Sequence, residues 1–168
     1  QDMAIADYDS YIREDNSLVR AHVWVGDSYS RKRMYEKAIK CYLLAIEIDS
    51  NWADAHNGLG IAYYNLKRYK EAIKSLDTCT FLSPLYYQAY ANKGLNEVEL
   101  GNFEKAILNY DKSIEINSKD PIAYYGKGTA LQKNGMIRHA LSCYDEALII
   151  KPDFAYCWMH KGTCHHQL

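Results

Sequence analysis

The sequence predicts an all-α solenoid of antiparallel helix pairs, about ten helices in one array, and three observations carry that expectation. Glycines stand at Gly26, Gly60, Gly94, Gly128 and Gly162, each 34 residues from the last. Alanines keep the same period at Ala4, Ala38, Ala72, Ala106 and Ala140. Within each period, apolar residues fall on helical spacing in two runs, with polar breakers between and after them. One helix pair cannot bury its own apolar face, so stacked neighbours must supply a continuous core.

The register divides the 168 residues into a leading segment 1–18, units at 19–52, 53–86, 87–120 and 121–154, and a trailing segment 155–168. Residues 1–18 read as a second helix without its first, helical over 4–14, with Ala4 and Tyr8 in register. In the first unit the run through His22 and Gly26 makes one helix. The run through Tyr35, Ala38 and Tyr42 makes the other, stopped at Asp49-Ser50-Asn51. In the second unit His56, Leu59, Gly60 and Tyr63 share one helical face, and Tyr69, Ala72, Ile73, Leu76 and Cys79 share another. Lys67-Arg68 breaks the two apart and Ser83-Pro84 ends the unit. The third unit turns at Gly101-Asn102 and ends at Asn117-Ser118; the fourth turns at Gly135-Met136 and ends at Lys151-Pro152. Residues 155–168 read as a first helix without its second, carrying Trp158, Met159 and Cys164 for something else to cover. The array is therefore expected to continue into further repeats, a partner, or another copy beyond at least one end. The glycine and alanine columns mark helix crossings, where a side chain larger than a methyl would force the helices apart.

This pattern resembles the tetratricopeptide repeat family. The aromatic-x-x-Leu-Gly-x-x-Tyr signature stands nearly intact as His56-Asn57-Gly58-Leu59-Gly60-Ile61-Ala62-Tyr63, and the later Ala…Tyr…Ala…Pro run as Ala140, Tyr144, Ala147 and Pro152. The resemblance covers the whole chain and implies a right-handed superhelix of helix–turn–helix units. Later units depart from it: Lys93, Lys127 and Lys161 replace the leucine before glycine, and Glu97, Leu131 and His165 fill the following Tyr slot.

Composition removes whole classes of function. Twenty Lys+Arg against 21 Asp+Glu leave a net charge of −1, which gives no basic stripe for a phosphate backbone, and no nucleic-acid partner is expected. No apolar run approaches the ~20 residues a membrane span needs, so no membrane insertion is expected. Five scattered cysteines form no disulfide framework, and with no Asn-x-Ser/Thr acceptor they point to a reducing, intracellular (cytoplasmic) setting.

The chemistry-bearing motifs fall to the repeat itself. Gly126-Lys127-Gly128-Thr129 lacks the strand and spacing of a phosphate loop, and Lys161-Gly162-Thr163 repeats its letters one period on. Cys157, His160 and Cys164 share one helical face, but a structural zinc site needs a fourth ligand and both cysteines occupy small-residue packing columns. His22 and His56 stand in an aromatic column and read as core. No base–nucleophile pairing emerges, so the expectations are no enzyme, no catalytic residue, no cofactor and no metal.

The resemblance also implies a binding face. In the family, the second, fifth, ninth, twelfth and thirteenth residues of each first helix line a concave groove. Here those slots supply Asn57, Ile61, Tyr64, Asn65, Leu95, Val98, Ile122, Tyr125, Gln132, Tyr156 and Met159, with Asn92 beside them. Apolar residues with aromatic edges imply an apolar-anchored peptide or helix, with Asn57, Asn65, Asn92 and Gln132 available to its backbone. Arg20, Asp27 and Arg31 add a polar rim. The slots by which chaperone-binding members hold a C-terminal carboxylate read Val23, Asp27, Gly58, Gln88 and Asn92, so that ligand is not expected.

The resulting expectation is a non-catalytic interaction scaffold or adaptor gripping a peptide or helix in its groove. The alternative is a structural subunit built into a larger assembly through its ends and convex face, with end-to-end self-association as one form. A regulatory module of an enzyme lying outside this segment predicts the same sequence.

Overall fold

The computed structural model describes residues 17–167, and its elements over that span are all helices. They are α1 (Ser17–Arg31), α2 (Tyr35–Ile48), α3 (Ala53–Asn65), α4 (Tyr69–Leu82), α5 (Tyr87–Glu99), α6 (Phe103–Ile116), α7 (Pro121–Lys133), α8 (Ile137–Ile150) and α9 (Ala155–Gln167). Nine of the expected ten thus lie among the described residues; the helix expected over 4–14 lies outside them. Odd-numbered helices are the first of each unit and even-numbered ones the second.

Each helix packs on the next, and the backbone of each odd helix also approaches that of the following odd one, whereas the backbones of successive even helices stand further apart. A stack whose first helices approach closely while its second helices splay must curve around the first. The odd helices therefore form an inner, concave layer and the even helices an outer one.

The turns inside the units share one geometry. Arg33, Lys67, Gly101 and Gly135, one period apart, all hold left-handed backbone, with φ of 58°, 60°, 77° and 80°. The next residue's N–H closes the turn on a carbonyl five residues back: Met34 on Tyr29, Arg68 on Tyr63, Asn102 on Glu97 and Met136 on Leu131, each at 2.9 Å. The even helices start at Met34, Arg68, Asn102 and Met136 without side-chain caps. Packing, rather than capping, determines where they begin. Among α2 to α8, only α7 shows the capped start that sequence rules look for, with Asp120 accepting from the Ile122 N–H at 3.0 Å and Pro121 in the first helical turn.

The column residues meet as the period requires. Ala38, Ala72, Ala106 and Ala140 are fully buried. Gly26, Gly60, Gly94 and Gly128 admit a side chain of the second helix rather than its backbone, whereas nothing lies within 4 Å of a Cβ built on Gly162. Tyr42 lies against both Gly26 and Gly58, and Tyr110 against both Gly94 and Gly126; a Cβ on Gly126 would stand 2.4 Å from the Tyr110 ring. Tyr144 rests on Gly128 on one side and meets the His160 ring on the other, 5.9 Å between centroids. One expectation is corrected. Cys164 is not left uncovered but is fully buried with Cys157 in the cluster around Leu131, Tyr144 and Leu148. Trp158 and Met159 do remain exposed. No helix among the described residues is long and apolar enough to cross a membrane.

Candidate functional site

The concave face carries three cavities in a row, one between each pair of successive odd helices from α1 to α7. The first, about 460 Å³ between α1 and α3, is bounded by Arg20, Trp24, Asp27, Asp54, Asn57 and Ile61, with Tyr86 closing its edge. The second, about 230 Å³ between α3 and α5, is bounded by Ile61, Tyr64, Asn65, Asn92, Leu95 and Asn96. The third, about 360 Å³ between α5 and α7, is walled mainly by Leu95, Val98, Tyr110, Ile122 and Tyr125, with Glu99 and Lys133 at its rim. Ile61 is shared by the first two, and Asn92 and Leu95 by the last two. The cavities thus join into one trough.

Nine of the twelve groove residues named from sequence line this trough, and the structure gives them distinct parts. Ile61 and Ile122 are exposed, while Val98 is buried and belongs to the floor. Asn57 and Asn92 join across the floor, Asn92 Nδ2 donating to Asn57 Oδ1 at 3.0 Å, and Asn65 donates back to the Ile61 carbonyl at 2.8 Å. Tyr64 packs against Tyr69 with the two rings tilted by 50°, and burial, with Glu99 nearby, pushes its phenol above the ordinary value. Tyr125 packs on Tyr144, Phe154 and His160, and burial raises its phenol too. The other three lie apart. Gln132 accepts from the Tyr144 hydroxyl at 2.9 Å and donates to Thr163 and Gln167, tying α7 to α8 and α9. Tyr156 and Met159 are exposed on α9 and line none of the three cavities.

The first cavity contains residues the slot rule passes over. Tyr42 donates to Asp27 Oδ1 and Tyr86 to Asp54 Oδ1, both at 2.7 Å, so each carboxylate is oriented by a phenol from a neighbouring element. Burial, reinforced by those aspartates, raises both phenols and keeps them donors. Trp24 stands 63% exposed at the rim. Two of the missed aromatics, Trp52 and Tyr86, had a signal: they line this cavity and stand one 34-residue period apart, just before their helices. Two arginines and two aspartates leave this end of the trough near neutrality.

The remaining chemical candidates are structural parts. Gly126 and Gly128 seat Tyr110 and Tyr144, and Lys127 between them pairs with Asp111 at 2.6 Å. The Cys157 thiol donates to the Tyr144 carbonyl at 3.3 Å, and burial pushes that thiol up to about 11 and the Cys79 thiol up to about 12. His160 approaches Gln132 Oε1 at 3.2 Å. Among the described residues, no group of three His, Cys, Asp or Glu side chains is placed to hold a metal ion. The chemistry on offer is apolar clefts, aromatic edges and oriented polar groups along a trough.

Family profiles match across this architecture. One described as TPR repeat covers residues 26–67 and 94–135, and two described as tetratricopeptide repeat cover 53–86 and 121–154. No curated protein matches the chain. Among solved structures, one of MamA is 27% identical, covering 92% of this chain and 91% of that one at a TM-score of 0.74. YrrB, described as a TPR protein with an unusual peptide-binding site, is 23% identical over 94% and 81% at 0.72. The first TPR of Spaghetti (RPAP3), bound to the HSP90 peptide SRMEEVD, is 21% identical over 72% and 96% at 0.69. The latter two share the fold with this chain.

Proposed function

This chain belongs to the tetratricopeptide repeat family, a family of protein-interaction scaffolds, and on that premise we propose that it holds one segment of a protein partner, a peptide or a helix, in its concave trough without catalysing a reaction. The observation that carries this reading is the continuity of the trough, whose far half is walled by Leu95, Val98, Ile122 and Tyr125. An apolar cleft of this kind anchors side chains by removing them from water, and the polar groups beside it meet the backbone between anchors. The peptide-bound RPAP3 structure supports a peptide ligand in general. Its acidic peptide is not the ligand proposed here, because Asp27, Asp54 and Glu99 face this trough and the cations Arg20, Arg31 and Lys133 sit at opposite ends of it.

The test is affinity capture with wild type against a Leu95→Glu/Ile122→Glu variant of unchanged helicity. Tyr125 is left in place because its ring packs on three others. The reading expects one partner to be lost with the variant, and a synthetic peptide of that partner's segment to bind wild type alone. Retention of every partner by the variant would instead favour the second reading, a subunit held through its outer face. Phe81, Leu108 and Ile149, each at least 69% exposed on the even helices, speak for that alternative.

A further inference from the structure

Asn96 is the one amide in a column that otherwise holds small residues, of which the exposed Ser28 bonds back to the Trp24 carbonyl at 2.8 Å. The same column holds Ala62, Ala130 and Cys164, all fully buried, and Asn96 itself is only 1% exposed. Its Nδ2 donates to the Asn92 carbonyl at 2.8 Å. Its Oδ1 is buried with no hydrogen-bond partner among the described residues. A buried amide oxygen without a donor costs stability, and the neighbouring units show that alanine satisfies the packing at this slot. A residue kept against stability, at the middle of the binding trough, marks a place where function overrides the repeat.

Asn96 belongs to the wall of the crevice between α3 and α5, with Ile61, Tyr64, Asn65, Asn92 and Leu95. The Asn65 and Asn92 amides each turn one N–H onto the protein's own oxygens, and neither they nor the Tyr64 hydroxyl in the same wall meets Asn96 Oδ1. No carboxylate lines it, so nothing there would compensate a buried cation, and a partner carboxylate would bring a second acceptor against the first. We propose that this crevice is a specificity pocket for a neutral, hydrogen-bond-donating side chain of the partner segment, whose donor reaches Asn96 Oδ1, buried in the free chain, as the crevice opens to admit it. An apolar residue nearby on the same segment anchors in the adjoining α5–α7 cleft, which shares Asn92 and Leu95 with the crevice. The assignment rests on the groove reading above and adds the chemistry the groove selects.

The test is selection of a random displayed peptide library on the wild-type protein. The selected peptides are then compared on wild type, Asn96→Ala and Leu95→Glu. Selected peptides are expected to share a donor-bearing neutral residue (Ser, Thr, Asn, Gln or Trp) at a fixed spacing from an apolar anchor. Asn96→Ala should weaken them by about tenfold while its own melting temperature holds or rises. Replacing the peptide's donor residue by alanine should cost the same factor on wild type and almost nothing on Asn96→Ala, the non-additivity of a direct contact. Additive losses, or equal binding to Asn96→Ala, would overturn the pocket while leaving the groove standing. A lower melting temperature in Asn96→Ala would make the amide structural and also overturn it. The peptide-side substitution on wild type needs no altered protein, so it decides the question even if that variant folds poorly. A library that yields no peptide sensitive to Leu95→Glu would remove the groove itself, and the pocket with it.

Discussion

Lys127 on α7 reaches back to Asp111 on α6, Nζ to Oδ1 2.6 Å apart, and the pairing recurs one period to either side as Lys93 with Asp77 and Lys161 with Asp145. These lysines are the residues that depart from the family's leucine before glycine. The aspartates depart in step: at the first unit boundary the same two columns hold Leu43 and Leu59. Two columns have therefore exchanged an apolar pair for an ion pair at three successive interfaces. Burial works against the Lys127 charge, yet its bond to Asp111 and that carboxylate's charge hold the ammonium above the ordinary lysine value.

Each such pair is half-exposed on its aspartate side, so its net contribution is about 0.2–1 kcal/mol and is screened by salt. Asp111→Ala should lower stability by that amount at low ionic strength and by less at high. The double variant Lys127→Leu/Asp111→Leu, which rebuilds the first interface, should recover the loss and abolish the salt dependence. Urea unfolding at two salt concentrations checks it, and a double variant weaker than the single would refute the exchange.

Gly126→Ala places a methyl group 2.4 Å from the Tyr110 ring, which Gly94 confines from the opposite side. The expected cost of overpacking is about 1–3 kcal/mol. It opposes a helix-propensity gain of about 1 kcal/mol, and the variant should be less stable than wild type. Adding Tyr110→Leu should rescue it, because the second unit carries Leu76 in that column and tolerates Asn92 in the slot of Gly126. Thermal unfolding of the single and double variants decides the matter.

Lys67 holds φ of 60° in an exposed turn. Lys67→Gly should therefore stabilise by about 0.5–1 kcal/mol, the left-handed cost of a side chain less the extra freedom glycine has when unfolded. Gly101→Ala should destabilise by a similar amount although nothing lies within 4 Å of its would-be Cβ, since the penalty is in the backbone at φ 77°. Opposite shifts in melting temperature are expected. Shifts of the same sign would contradict the shared turn geometry.

Burial, with the charge of Lys133 added, lowers the His160 imidazole below its ordinary value. The unfolded chain then binds the proton more readily than the folded one. The contribution of neutral His160 is complete above the unfolded value of about 6.5, declines as pH falls below it, and levels off once the lower folded value is passed. Unfolding midpoints should fall on acidification from about pH 7.5 to about pH 5.5. His160→Asn, borrowing Asn92 from the same column, should flatten that part of the profile. A His160 resonance titrating above 6.5 in nuclear magnetic resonance would reverse the sign and refute the account.

The trough itself was partly legible. Ile61, Leu95, Ile122 and Tyr125 were named because the family resemblance implies the same inward slots in every unit, and all four line the trough. Gln132 shows the limit of that reasoning: it occupies an inward slot, yet its amide is taken up by Tyr144, Thr163 and Gln167. The aromatics of the first cavity were missed because Trp52 and Tyr86 sit just before their helices, outside the slot rule, though on the period.

What the sequence determined by itself is the all-α solenoid and its 34-residue unit. Those follow from spacing along one chain, and spacing along one chain is local information. Which side chain of one helix meets which of another was decided only on stacking. Tyr110 closes on two glycines, Lys127 finds Asp111, and Asn96 keeps an amide oxygen unanswered beside the groove. Such meetings depend on the angle and distance at which whole helices pack, quantities that the volumes of many residues set together and that no periodicity records.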